Sequence, residues 1–162
     1  MARFIYRMQS ILNIKEKMEE QARMEFAAAR MRLDEEELKL QALIERKEGY
    51  EEQGRALRQD ALKVMDIMEN RDAIGVIDEF IMNQREQIRI AERALEDARM
   101  KLQLAMQESK TQEKLREKAF EEFMREENAR EAKEVDELVS YTHGSAKRKS
   151  DAAAGDREKV WI

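Results

Sequence analysis

Proline is absent from all 162 residues of this chain, and that omission removes most ways of building a domain of this length. Average proline usage is about 5%, and Pro and Gly supply much of the turn chemistry that a globular fold needs. Only five glycines are available: Gly49, Gly54, Gly75, Gly144 and Gly155. A chain so poor in breakers, with 41% charged and 6% aromatic residues, reads as long helices. The large core of an α/β enzyme is excluded.

Apolar residues recur in alternating steps of four and three, the spacing of a coiled-coil seam. The first half runs Phe4, Met8, Ile11, Met18, Ala22 and Phe26, with Lys15 interrupting. It continues through Ala29, Leu33, Leu40, Leu43, Tyr50, Leu57, Ala61, Val64 and Met68. The steps from Met18 to Ala22 to Phe26 are both fours, a stutter expected to unwind a left-handed supercoil locally. The second half runs Ile77, Ile81, Ile88, Ala91, Leu95, Ala98, Leu102 and Ala105. It weakens at Ser109 and Gln112 and resumes, shifted, through Phe120, Met124, Val135 and Leu138. A stripe this narrow must meet another helix.

The segment Glu69 to Gly75 carries Asn70, Asp72 and Gly75, which is turn and cap chemistry, and it lies midway between Phe4 and Leu138. The expected fold is therefore all-α: a long antiparallel two-helix coiled-coil hairpin over 1–143, turning near 70–75. Arms of some 65 residues would be roughly 100 Å long. Gly49 and Gly54 are its weak point, each costing up to about 1 kcal/mol in a helix. They leave room for short helices at the tip, and for a compact bundle of three or four helices as the alternative. A hairpin closes on itself, so a monomer is expected.

Gly144 is the expected left-handed end of the second helix, with His143 near the negative dipole end. Residues 144–162 are small and charged and lack a stripe, so a disordered charged tail is expected. Its Lys147, Arg148 and Lys149 read as solvating charge, with an anionic docking patch as the other reading. The only tryptophan stands in Val160-Trp161-Ile162, at the very end. Glu19 to Arg23, Glu35 to Lys39, Glu121 to Arg125 and Glu126 to Arg130 are expected surface ion pairs, each worth a few tenths of a kcal/mol.

The 31 basic and 36 acidic residues are interleaved, so no basic stripe stands ready for phosphates and no nucleic-acid partner is expected. No stretch approaches the ~18 apolar residues that would span a bilayer. The N-terminus lacks a secretory h-region, there is no cysteine, and the default compartment is the cytoplasm. Nucleophilic catalysis would have to use His143, the sole histidine. A Glu-x-x-His di-iron motif is missing, because Ser140 stands three before it. Phosphate-binding glycine loops are absent too, and helix-surface carboxylates lack the burial that tunes acid/base groups. No enzyme activity, metal or cofactor is expected.

Four segments resemble the FliJ family, the coiled-coil component of the bacterial flagellar type III export apparatus. They are Phe4 to Leu12, with its basic-aromatic start, Glu35 to Tyr50, Phe80 to Ile88, and the acidic Glu134 to Leu138. The resemblance covers about 1–143; the glycines at 49 and 54 and the tail depart from it. It implies a non-enzymatic role in flagellar protein export, flagellum biogenesis and motility, and a shape similar to the stalk subunit of rotary ATPases. The implied partners are the hexameric flagellar export ATPase, the membrane protein of the export gate, and export chaperones. The implied place is the cytoplasm, peripheral at the cytoplasmic face of the inner membrane. On that resemblance the ATPase-ring contact would use Phe4, Arg7, Met8, Ile11, Phe123, Glu127 and Leu138. The export-gate contact near the tip would use Tyr50, Phe80, Gln84 and Ile88, each of which also reads as seam packing. Met18, Met24, Met31, Met65, Met68 and Met82 lie in or beside the stripes, where Met fills gaps and adapts to varied surfaces. The rival reading is a homo-oligomeric coiled-coil spacer or scaffold.

Overall fold

The computed structural model describes residues 2–59, 61 and 63–158. These form two helices, α1 (Gln9–Gln59) and α2 (Val64–Glu158), with no strand among the described residues. Neither Gly49 nor Gly54 breaks α1, so the three- or four-helix bundle and the short tip helices give way to a helical hairpin. The chain divides into two units, Ile11–Thr111 and Met1–Ser10 with Gln112–Ile162.

The Ile11–Thr111 unit is an antiparallel pair. As the residue number rises on α1 its partner's falls on α2: Lys15 meets Glu108, Glu36 meets Gln84, Lys47 meets Asp78 and Tyr50 meets Asn70. The covered positions on α1 run 12, 15, 19, 22, 26, 29, 33 and so on to 57, alternating threes and fours without a slip. On α2 they run 67, 70, 74, 77, 81, 84 and so on to 109 in the same alternation. The predicted stutter does not exist. Leu12 is 3% exposed while its neighbour Ile11 is 38% exposed, so the seam passes through Leu12, Lys15 and Glu19 rather than Ile11 and Met18. Long polar side chains hold these seam positions because their apolar stems cover it while their charged ends reach water. Ser109 likewise stays in phase and is buried. Small seam residues (Ala22, Ala91 and Ala98) are buried, which brings the helices close.

The expected turn at 70–75 is corrected: those residues lie inside α2, and the helices break between Gln59 and Val64. A turn at the sequence midpoint requires equal arms, whereas α1 has 51 residues and α2 has 95. The Ile67 N–H donates to the Lys63 carbonyl at 3.2 Å as α2 begins.

In the other unit, residues 2–6 form a strap without regular structure, and the Gln9 N–H donates to the Tyr6 carbonyl at 3.2 Å where α1 begins. Ala119, Phe123 and Glu127 are the half-buried face of α2 here, in place of the shifted stripe through Phe120 and Met124. From Asn128 to Gly155 every residue is exposed. The disordered tail is also corrected, because α2 continues through Gly144 to Glu158 and no described glycine has positive φ. Lack of an apolar stripe removes the need for a partner but does not forbid a solvated helix. The Ala152–Ala154 run favours one, and the hydroxyls of Thr142, Ser145 and Ser150 donate to carbonyls one turn back. Val160-Trp161-Ile162 lies outside the described residues.

Candidate protein-binding surfaces

The N-terminal strap is pinned by an aromatic cluster. Phe4 meets Phe120 edge-on, with ring centroids 5.2 Å apart and planes at 77°, and meets Phe123 at 5.4 Å and 51°. Both distances lie in the range where ring quadrupoles attract. Strap and α2 enclose a shallow groove in which Phe4, Arg7, Met8 and Phe123 come together with Ala119, Glu122 and Glu126. The Tyr6 hydroxyl is buried there without a hydrogen-bond partner in the protein.

Four of the seven residues expected to face an ATPase ring therefore share one surface. Glu127 lies a turn beyond Phe123 and pairs with Arg130 at 2.8 Å, so the predicted Glu126–Arg130 pair gives way to a three-residue spacing. Leu138 stands fifteen residues beyond Phe123 on α2, about 22 Å along the helix. Ile11 belongs to the Ile11–Thr111 unit.

The four residues expected near the tip are not at the reversal. Phe80 stands sixteen residues past Val64 on α2, about 24 Å along the helix. It is 52% exposed. Tyr50 and Ile88 are half-buried in the seam, and the Tyr50 carbonyl accepts from the Asn70 amide at 2.8 Å. Gln84 is engaged: its Nε2 donates to the Glu36 carbonyl at 2.9 Å and also to the Glu36 carboxylate. The Gln84 amide holds the Glu36 carboxyl below its ordinary range, with Lys39 adding to the effect. Asp78, 2.7 Å from Lys47, raises the lysine's pKa. Arg23, 2.8 Å from Glu19, lowers the carboxyl's, and Ser109 leans on the same carboxylate without closing a full hydrogen bond. These polar clasps cross or flank the seam and set its register more than its stability.

Two features escaped the sequence reading. Gly54 is buried against Asn70, and an added Cβ would lie 2.5 Å from the Asn70 Oδ1; an isolated glycine in a helical pattern hints at such close approach. The six seam-side methionines all stand more than half exposed, so they line the surface and do not fill a core. Met18 joins Ala22, Leu104 and Ala105 in an open groove along the hairpin. Among the described residues no cluster of three or more acidic, His or Cys side chains is placed to hold a metal, and no helix is long and apolar enough to cross a membrane.

The profile of the family described as "Flagellar FliJ protein" matches residues 4–148. A solved structure of a YscO homologue from Chlamydia trachomatis is similar in fold, with a TM-score of 0.66 and 22% identity, covering 91% of this chain and 99% of that one. No curated protein sequence matches the chain. An unbroken two-helix seam, a pinned N-terminal strap and a profile match over nearly the whole length lead to one assignment: the chain belongs to the flagellar FliJ protein family, a component of flagellar type III protein export.

Proposed function

We propose that this export component links the hexameric export ATPase to the membrane protein of the export gate, and that it handles export chaperones. The observation that carries the reading is the aromatic cluster. Pinning Phe4 against Phe120 and Phe123 leaves Ile5 and Met8 exposed around one groove. A rigid apolar patch rimmed by Arg3, Arg7, Glu122 and Glu126 suits the inside of a protein ring, where a few fully covered anchors carry most of the affinity. Glu127 and Leu138 extend that contact along α2; Ile11, in the other unit, is a separate candidate for the ring.

For the gate, Phe80 is the residue best placed, with exposed Val76 one turn before it on the same face. Tyr50, Gln84 and Ile88 support it from the seam. The exposed methionines give export chaperones an adaptable surface. This role places the protein in the cytoplasm, peripheral to the inner membrane at the export complex.

The test is association of the full-length chain with the export ATPase, measured by light scattering after gel filtration. One copy per hexamer is expected, with loss of binding in Phe4→Ala and Phe123→Ala and retention in Phe80→Ala. Phe80→Ala should instead lose capture by the gate protein's cytoplasmic part. No association of the parent chain with the ring would overturn the reading. The spacer alternative requires the seams to pair between chains, and those of Ile11–Thr111 are already occupied within one chain.

A further inference from the structure

The two helices are unequal, 51 residues against 95, and the excess leaves residues 128–155 of α2 with no cover from their own chain. That run is not featureless. Val135, Leu138 and Val139 are 56%, 65% and 50% exposed, and the spacing 135, 139, 142, 146 carries a band through Thr142 and Ala146 along one face. The band changes character at Thr142. Before it stand the bulky residues and the acids Glu131, Glu134, Asp136 and Glu137. After it stand Gly144, Ser145 and Ala146, followed by Lys147, Arg148 and Lys149.

We infer that this face docks a second copy of the chain, antiparallel and centred on Thr142. In that arrangement the acidic block of each copy faces the basic block of the other, twice over by symmetry, with Asp136 beside Lys147 on one flank of the face. Leu138 and Val139 meet the small Ser145 and Ala146, so large side chains fill the space that small ones leave. A parallel pair in register would set acid on acid and base on base, which opposes association. Self-complementarity about a point is what an isologous two-fold contact requires. The expected monomer rested on a hairpin that closes on itself; the excess of α2 lies outside that closure. Leu138 is shared with the proposed ring contact, so the pair must part before one copy enters a ring; the test of self-association uses neither ATPase nor gate and fails or holds independently of that reading.

The test is sedimentation of the full-length chain over a concentration series at low and high salt. A dimer is expected that weakens as salt rises, because the facing charges are solvent-exposed and screened. Asp136→Lys and Lys147→Glu should each weaken it about tenfold, by turning two attractions into repulsions; the two together should restore it. The chain has no cysteine, so single labels are clean. Spin labels at Glu131→Cys should lie about 33 Å apart between copies, twenty-two residues along a helix, while labels at Thr142→Cys should be in near contact. A monomer at every concentration overturns the inference, and so does a segment that binds only other proteins. A dimer with the position-131 labels adjacent, or one indifferent to both charge reversals, overturns it equally.

Discussion

Gly54 and Asn70 interlock across the hairpin: the glycine has no side chain, and the asparagine's carboxamide occupies the place where one would be. A Cβ there would sit 2.5 Å from Oδ1, while Nδ2 of the same amide donates to the Tyr50 carbonyl at 2.8 Å. Alanine normally favours a helix over glycine by about 1 kcal/mol. At Gly49, where nothing lies within 4 Å, Gly49→Ala should deliver that gain as a higher denaturation midpoint. At Gly54 the gain is offset by displacing the amide and losing its hydrogen bond, about 1 kcal/mol, so Gly54→Ala should not stabilise. In an Asn70→Ala background it should stabilise as Gly49→Ala does. Equal stabilisation by both single variants in the parent chain would contradict the interlock.

The phase of the seam near its start separates two adjacent residues. Leu12 is buried and Ile11 is not. Leu12→Ala should therefore cost about 2–4 kcal/mol, and Ile11→Ala no more than about 0.5 kcal/mol. Urea unfolding followed by circular dichroism reads both values. The reverse order would restore the stutter.

The Glu36–Gln84 contact gives the hairpin a definite acid limb. The folded carboxyl titrates below its ordinary 4.5, so the contact stabilises at neutral pH and is lost as pH falls below that value through the folded pKa. Lys47 has the opposite sign. Its pKa rises above 10.5 beside Asp78, so that contribution is present below 10.5 and disappears as pH climbs through the raised value. Urea midpoints should be flat across neutral pH and fall at both extremes. Glu36→Gln should shrink the acid fall without altering the alkaline one; an unchanged acid limb in that variant would count against the contact.

The strap should come away when its anchor is removed. Phe4 reaches α2 through two ring contacts worth about 0.5–1.5 kcal/mol each beyond area burial. Phe4→Ala should thus raise amide hydrogen exchange at Arg7, Met8 and Gln9 about tenfold or more, while leaving exchange in the seam around Ile77 and Ile81 unchanged. Uniform acceleration throughout would mean that the cluster supports the whole molecule and not the strap alone.

How far the sequence alone could reach depended on which residues carry the pattern. From Ala22 to Ala105 most seam positions are apolar, and their spacing was readable. At the start, Ile11 and Leu12 are both apolar, so hydrophobicity could not choose between them, and the true phase runs through Lys15 and Glu19. Ser109 and Gln112 looked like a break because periodicity is judged by apolar residues, although both keep the register. The reversal was misplaced because Asn70 and Gly75 have turn chemistry. The actual break between Gln59 and Val64 contains neither glycine nor proline, and Asn70 serves instead as a clasp. Phe4, Met8 and Phe123 belong to one group only through the resemblance to the FliJ family, and the strap brings them to one groove. That Leu138 stands apart from them follows from the unequal helix lengths, which no local motif announces.

The unslipped alternation of threes and fours makes the length of each arm quantised. Adding or deleting one residue anywhere between Leu12 and Leu57 would rotate all that follows by about 100°, turning covered positions outward and charged ones inward. Only changes of whole heptads, matched on the opposite arm, preserve both faces. The reversal between Gln59 and Val64 is the one interior place of this unit where insertion leaves both phases untouched. Length variation among homologous hairpins should accordingly come in sevens along the arms and in arbitrary numbers at that bend.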